Sequence, residues 1–102
     1  MFRKIVVIDQ TGLQPWALER LQSYSQEPIS LFQDIPATEE EAARRIEAAD
    51  GVFVSWNTQL TARVLSQAKG LRYIGMCCSL YDKQSANVDI DYAERTGITV
   101  RG

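Results

Sequence analysis

Four side chains with reactive or ligand-binding chemistry stand at the ends of predicted strands in this 102-residue chain. Asp9 ends the first strand, Trp56 follows the third, and Cys77 and Cys78 follow the fourth. An exposed Trp56 would indicate a contact with a ligand or a partner, although single exposed aromatic residues are also ordinary. Adjacent cysteines can form a redox pair or supply a nucleophile, but cysteine is also among the most often buried residue types. We therefore favour packing for both cysteines.

Acidic and phosphate-binding alternatives are weaker. Asp9 would suit a phospho-receiver domain, but such a domain needs its acceptor aspartate at the end of the third strand, where this chain has Ser55. We expect Asp9 to accept hydrogen bonds from backbone N–H groups of its own loop. Thr11-Gly12 is a common turn that by itself does not define a phosphate site. The acidic run at residues 39–41 fits a solvated first helical turn better than a metal site.

Composition excludes several classes of function. The chain has no histidine, which removes the usual general base and the commonest metal ligand, so we predict neither catalytic nor metal-binding residues. A net charge of -2 and a pI near 5.0 argue against nucleic acid or an anionic membrane as partner. Apolar runs are too short to span a bilayer, and no signal peptide is recognisable. Two adjacent cysteines cannot make a secreted disulfide framework, so a cytoplasmic location is the default expectation.

The elements that position these side chains alternate between strands and helices. Strands are predicted at Lys4–Asp9, Ile29–Phe32, Gly51–Ser55, Leu71–Met76 and Ile98–Val100. Helices are predicted at Pro15–Gln26, with Trp16 in the core, and in three segments that begin at a capping residue, namely Thr38 to about Ala49, Thr61 to Gly70 and Asp89 to Thr96.

This alternation predicts a single α/β domain over residues 1–102. Apolar strands without polar alternation suit a parallel sheet covered by helices on both faces. Five strands and four helices in this length favour a flavodoxin-like, five-stranded parallel sheet of order 2-1-3-4-5. Ligands of such sheets bind beyond the carboxyl ends of the strands, near the switch point between strands 1 and 3. That rule selects the loops Gln10–Gln14, Trp56–Leu60 and Cys77–Ala86.

Three blocks of sequence resemble one known family. They are ADGVFVSWNTQLTARVL at Ala49–Leu65, LRYIG at Leu71–Gly75 and NVDIDYAERTGITV at Asn87–Val100. Their order and spacing are similar to the N-terminal substrate-binding domain of D-isomer-specific 2-hydroxy-acid dehydrogenases, closest to the glycerate/hydroxypyruvate reductase branch.

The resemblance implies an oxidoreductase that interconverts a 2-oxo acid and a D-2-hydroxy acid with NAD or NADP. It also implies substrate-binding residues. The loop after the fourth strand, Cys78, Ser79 and Leu80, would hold the substrate carboxylate largely with backbone N–H groups, and Trp56 and Asn57 would face the same cleft. This chain departs from the family at Leu80, where a glycine is usual, and in an insertion at Asp82–Ala86.

The part of such an enzyme that performs the chemistry has no counterpart in this sequence. There is no G-x-G-x-x-G fingerprint, and the family's catalytic Arg, Glu and His belong to a later domain. We therefore expect a substrate-side domain, a fragment or a chain cut at the hinge, that lacks its nucleotide-binding domain, binds no cofactor and is inactive alone. The alternative is a stand-alone flavodoxin-like binding or regulatory module, favoured if the reading frame stops after Gly102.

Two expectations concern physical behaviour. The loop Ser79–Ala86 is polar and is predicted to be the most mobile internal segment. In the family, a helix from the far C-terminus packs on the first domain, and a fragment would leave that surface uncovered. We therefore expect a weak, concentration-dependent homodimer, with a monomer as the alternative.

Overall fold

A five-stranded parallel sheet organises the chain, whose computed structural model describes residues 1–77 and 87–101. The strand order is β2-β1-β3-β4-β5, so the predicted flavodoxin-like order 2-1-3-4-5 is confirmed. The strands are β1 (Ile5–Val7), β2 (Ser30–Leu31), β3 (Gly51–Val54), β4 (Tyr73–Met76) and β5 (Thr99–Arg101). The helices are α1 (Pro15–Ser23), α2 (Glu39–Ile46), α3 (Ala62–Leu65) and α4 (Ile90–Arg95).

One face of the sheet, here called the closed face, is covered by α2, α3 and α4. Alternate residues of β3 and β4 point into it because side chains along a strand alternate between faces. Val52, Val54 and Ile74 are completely buried there. The helices contribute small and branched side chains that are also buried, namely Ala42, Ala43, Ile46, Val64, Leu65, Ile90 and Ala93.

The other face, here called the open face, carries only α1 among the helices of the described residues. α1 contains no buried residue, and Trp16 is 68% exposed, so the prediction that Trp16 lies in the core is wrong. A groove of about 290 Å³ separates α1 from the sheet. Its sheet side includes Phe53, Tyr73, Gly75 and Cys77, with Arg101 at the edge. Trp16 stays exposed because no further element closes this groove within the described residues.

The predicted helix caps are present, although the helices are shorter than predicted. Thr38 accepts a hydrogen bond from the Glu41 N–H (3.1 Å), Thr61 from Val64 N–H (3.4 Å), and Asp89 from Tyr92 N–H (3.0 Å). α3 ends at Leu65 rather than at Gly70. Just beyond the end of α3, the Ser66 hydroxyl donates a hydrogen bond to the Arg63 carbonyl (2.9 Å). Local hydroxyl contacts of this kind compete with helical structure.

Asp50 holds the amino-terminal edge of the sheet. Its carboxylate accepts hydrogen bonds from the backbone N–H groups of Arg3 (2.8 Å) and Lys4 (2.9 Å), which lead into β1. Arg72 Nε lies 3.7 Å from the same carboxylate, just before β4. Partial burial acts to raise the pKa of Asp50, but the N–H donors and Arg72 outweigh it, so the pKa lies below its ordinary value. One ionised side chain thus ties three strands together.

The helices give no indication of a membrane segment. Across residues 1–77 and 87–101, none is both long enough and apolar enough to traverse a bilayer.

Candidate substrate-binding site

The carboxyl ends of β1, β3 and β4 meet at one edge of the sheet. Asp9 lies two residues beyond β1, Ser55 and Trp56 follow β3, and Cys77 follows β4. The parallel ladder continues through Cys77, whose backbone N–H donates to the Val54 carbonyl at 2.7 Å. This is the edge at which open parallel sheets bind ligands.

Asp9 is a fully buried carboxylate at this edge. Its Oδ1 accepts the Ser55 backbone N–H (2.9 Å), and its Oδ2 accepts the hydroxyls of Ser55 (2.7 Å) and Thr58 (2.5 Å). The hydrogen-bond donors to Asp9 were predicted in the loop that follows Asp9 itself. The observed donors belong to the loop after β3, because β1 and β3 are neighbours and their ends lie side by side.

The segment 55–58 is a turn that polar contacts hold from two sides. The Ser55 hydroxyl oxygen accepts the Asn57 N–H at 3.1 Å. On the far side, the buried Asn87 side-chain amide donates to the carbonyls of Ser55 (2.7 Å) and Thr58 (2.6 Å). Ser55, Thr58 and Asn87 are all buried, whereas Trp56 and Asn57 are exposed. The turn therefore presents two side chains to solvent.

The predicted site residues divide into two groups. Trp56 is 69% exposed and stands with Asn57 on the 55–58 turn, so the structure brings these two together at the expected edge. Cys78, Ser79 and Leu80 lie outside the described residues, and so does the predicted mobile loop Ser79–Ala86. Cys77, for which we favoured packing, is half-buried and lines the groove of the open face.

The residues that support the turn are not among the predicted site residues. In the sequence, Ser55 stands where a phospho-receiver domain would have its acceptor aspartate, Asn87 begins the third family block, and Thr58 has no assigned role. One signal is nevertheless present, at Ser55. A polar side chain directly after a buried strand must find hydrogen-bond partners when it is itself buried. The sequence does not identify those partners, because Asp9 and Asn87 reach Ser55 only in the folded chain.

A separate cleft of about 320 Å³ lies beside this edge, between the ends of β1 and β2. Gly12 lines it with a positive φ of 73°, together with Thr11, Gln10 and Gln33. Asp9 is the one charged residue among the described residues that line it, and both Asp9 oxygens already accept hydrogen bonds from the 55–58 turn. Because these described residues include no cation, they offer little to a phosphate.

Metal binding finds no support in the described ranges. Within 1–77 and 87–101, no group of three or more His, Cys, Asp or Glu side chains is placed to hold an ion. The glutamates at the start of α2 make ion pairs and hydrogen bonds with protein side chains. Glu41 pairs with Arg44 and Arg45, whose hydrogen bonds lower its pKa, and Glu39 accepts the Thr61 hydroxyl at 2.6 Å.

Comparisons with known proteins place this arrangement in a family. The model of the D-isomer specific 2-hydroxyacid dehydrogenase catalytic domain matches residues 5–101. The PH0520 protein from Pyrococcus horikoshii has a similar structure (TM-score 0.79, 30% identity), with 98% of this chain and 27% of that chain covered. The TT0316 protein from Thermus thermophilus gives a TM-score of 0.78 at 26% identity, covering 95% of this chain and 29% of that one.

Named dehydrogenases share the fold at lower identity. The apo-structure of D-lactate dehydrogenase from Escherichia coli aligns with a TM-score of 0.67 and 22% identity, covering 95% of this chain and 29% of that chain. No curated protein matches. The chain thus spans less than a third of the solved proteins it resembles. The match over residues 5–101 shows that this chain belongs to the D-isomer specific 2-hydroxyacid dehydrogenase family.

Proposed function

We propose that residues 1–102 form the substrate-side domain of an enzyme that interconverts a 2-oxo acid and a D-2-hydroxy acid. The observation that carries the proposal is the 55–58 turn. It presents Trp56 and Asn57 to solvent at the edge where open parallel sheets bind ligands, in a chain that belongs to a dehydrogenase family. An indole supplies an apolar wall with one N–H donor, and a carboxamide supplies two donors for a carboxylate or carbonyl oxygen. Together with the backbone of Cys78, Ser79 and Leu80, they would bind the acid.

The nicotinamide cofactor, NAD or NADP, does not fit the residues described here. The sequence has no G-x-G-x-x-G turn, and the cleft beside Gly12 has no cation for a pyrophosphate. We assign cofactor binding and the catalytic groups to a nucleotide-binding domain outside these residues. The 102-residue chain alone is then an acid-binding module without turnover. A cytoplasmic location goes with this proposal, because such cofactors are drawn from the cell interior.

Titration of the chain with oxalate, a stable analogue of a 2-oxo acid, tests the proposal. Nuclear magnetic resonance would follow the Trp56 indole N–H and the Asn57 amides. We expect saturable shifts at these groups with a dissociation constant of about 1 mM or weaker, because half of the site is missing. Asn57→Asp places a negative charge where the carboxylate should bind and is expected to weaken binding by about tenfold.

Gln26→Glu is the matched control, because it adds the same charge to an exposed position between α1 and β2, near the opposite edge of the sheet. It should leave the oxalate affinity unchanged. Chemical-shift changes on addition of oxalate that occur elsewhere but not at Trp56 and Asn57 would contradict an acid site at this turn. An equal loss of oxalate affinity in both variants would contradict it as well. Oxidation of NADH by the chain alone with pyruvate or hydroxypyruvate would contradict the assignment of cofactor binding to another domain.

A further inference from the structure

We propose that Asp9 is a positioning residue that fixes the 55–58 turn and thereby sets the direction of Trp56 and Asn57. The inference rests on the proposed function for its consequence in ligand binding, and on the hydrogen bonds of Asp9 for its physical basis. Asp9 itself is fully buried, so it acts on a ligand only through the turn.

The hydrogen bonds of Asp9 converge on a single target. Both carboxylate oxygens accept donors from Ser55 and Thr58, the first and last residues of the turn. The Ser55 hydroxyl, oriented by its donation to Asp9, presents its oxygen to the Asn57 N–H at 3.1 Å. A chain of hydrogen bonds thus runs from Asp9 through Ser55 to the backbone of Asn57. Charge-assisted bonds of this type are stronger than bonds between neutral groups.

The sheet itself does not require this carboxylate. The backbone N–H of Ile8 continues the ladder to the Phe53 carbonyl at 3.0 Å, whatever side chain follows it. Burying an ionised carboxylate is costly unless hydrogen bonds compensate, and the ion pairs of the described residues do not include Asp9. Within the described residues, the donors that compensate this burial belong to the turn. The carboxylate is therefore placed to order that turn rather than to extend the strand.

Asn87 completes the restraint from the other side. Its amide donates to the carbonyls of Ser55 and Thr58, so the turn lies between the Asp9 acceptor and the Asn87 donor. Backbone bonds between Leu60 and the segment 87–89 (2.8 and 2.9 Å) hold Asn87 in place. The exit of the loop that follows β4 is therefore connected to the same turn.

The test uses Asp9→Asn and Thr58→Val in the 102-residue chain. Asp9→Asn replaces one of the two acceptor oxygens with an NH2 donor, so that one acceptor fewer faces the turn, and Thr58→Val removes one donor with little change of shape. The primary readout is amide hydrogen exchange at Asn57, with the buried amides of Val52 and Ile74 as internal reference. We expect Asn57 protection to fall about fivefold or more in each variant relative to that reference, the size of one lost hydrogen bond. Thr58→Val is the variant of choice if Asp9→Asn folds poorly.

Ser25→Ala is the matched control. Ser25 is a buried serine near the amino-terminal edge, where its hydroxyl accepts Ile5 N–H (3.2 Å) and donates to the Glu27 carbonyl (2.7 Å). It removes comparable hydrogen bonds away from the turn and should leave Asn57 protection unchanged relative to the reference amides. Unchanged Asn57 protection in Thr58→Val, or an equal loss in Ser25→Ala, would overturn the positioning role.

Oxalate titration of the same variants separates this inference from the proposed function. We expect oxalate affinity to fall about threefold or more in Thr58→Val and to stay constant in Ser25→Ala. If the unmodified chain binds no oxalate while Asn57 exchange responds as expected, the proposed function fails and the positioning role stands. If the unmodified chain and Thr58→Val bind oxalate equally well, the positioning role fails and the proposed function stands.

Discussion

The two faces of the sheet differ in how completely they are covered. On the closed face three helices pack aliphatic side chains against β3 and β4, and Val52, Val54 and Ile74 have no exposed surface. On the open face, the one helix of the described residues contains no buried residue and leaves a groove of about 290 Å³ over Phe53 and Tyr73. The comparison teaches that β3 and β4 have a dry aliphatic core on one side and a partly wet aromatic surface on the other, whereas β1 buries Ile5 and Val7 completely on the open side too. The free energy of unfolding should come mainly from the closed face.

Neighbouring residues of β4 provide the largest expected contrast. Ile74 points into the closed face, and Tyr73 points into the open face. Ile74→Ala should lower the free energy of unfolding by about 3 to 4 kcal/mol, because it removes buried carbons and leaves a cavity that rigid neighbours cannot fill. Tyr73→Ala should cost less than about 2 kcal/mol, because the ring is already partly hydrated. Urea unfolding measures both, and equal losses would end the distinction between the faces.

The stabilising contribution of Asp50, at the amino-terminal edge of the sheet, should depend on pH, which distinguishes it from the apolar contributions of the two faces. Asp50→Asn should cost about 1 to 2 kcal/mol at pH 7, since it weakens the hydrogen bonds to the segment before β1. The folded-state pKa of Asp50 is lowered, so its stabilising contribution is fully present above the unfolded pKa of about 3.9 and is lost as the pH falls through the folded value. The difference between wild type and variant should therefore shrink in acid. A pH-independent difference would assign the effect to something other than this carboxylate.

Substitutions that add side-chain volume test how loosely the open face is packed. A methyl group on Gly75 would lie 2.5 Å from Phe53 Cε1, so the ring must move. Gly75→Ala should cost only about 1 kcal/mol, because the groove offers the ring space. Ala93→Val adds carbons to the fully buried closed face and should cost about 2 to 3 kcal/mol. Thermal unfolding would compare them, and a greater loss in Gly75→Ala would show that the open face is tightly packed.

The smallest expected effect is self-association through the open face. Covering a few hundred Å² of apolar surface at about 25 cal/mol per Å² only slightly exceeds the cost of association. We therefore expect a weak, concentration-dependent homodimer in sedimentation experiments. Trp16→Ala should weaken it while changing the free energy of unfolding by less than about 0.5 kcal/mol, because the side chain is 68% exposed. A strict monomer at high concentration would exclude the open face as a contact between copies.

The order of the strands could be predicted because short strands alternate with helices along the chain. Apolar runs such as residues 5–8 suit a parallel sheet, and right-handed crossovers leave few topologies. The placement of α1 could not be predicted in the same way. Its apolar residues Trp16, Leu18 and Leu21 are spaced for a core face, but their burial depends on what else lies over the sheet, and local periodicity carries no information about that.

The sequence indicates which loops lie at the carboxyl ends of the strands, but not which side chains support them. The switch-point rule selects three loops, and Trp56 and Asn57 lie on one of them. The partners of Asp9 could not be deduced from sequence, since they lie 46 and 49 positions away along the chain. Only the register of β1 against β3 brings Ser55 and Thr58 within hydrogen-bonding distance of that carboxylate.

The exposure of both indoles has a practical consequence for spectroscopy. Trp16 and Trp56 are 68% and 69% exposed in the folded chain, so their emission should already resemble that of solvated indole. Intrinsic tryptophan fluorescence will therefore report unfolding poorly. It should instead report binding of a ligand, since Trp16 stands at the groove and Trp56 at the proposed acid site. With either tryptophan replaced by phenylalanine, the remaining emitter distinguishes a molecule bound at the groove from an acid bound at the turn.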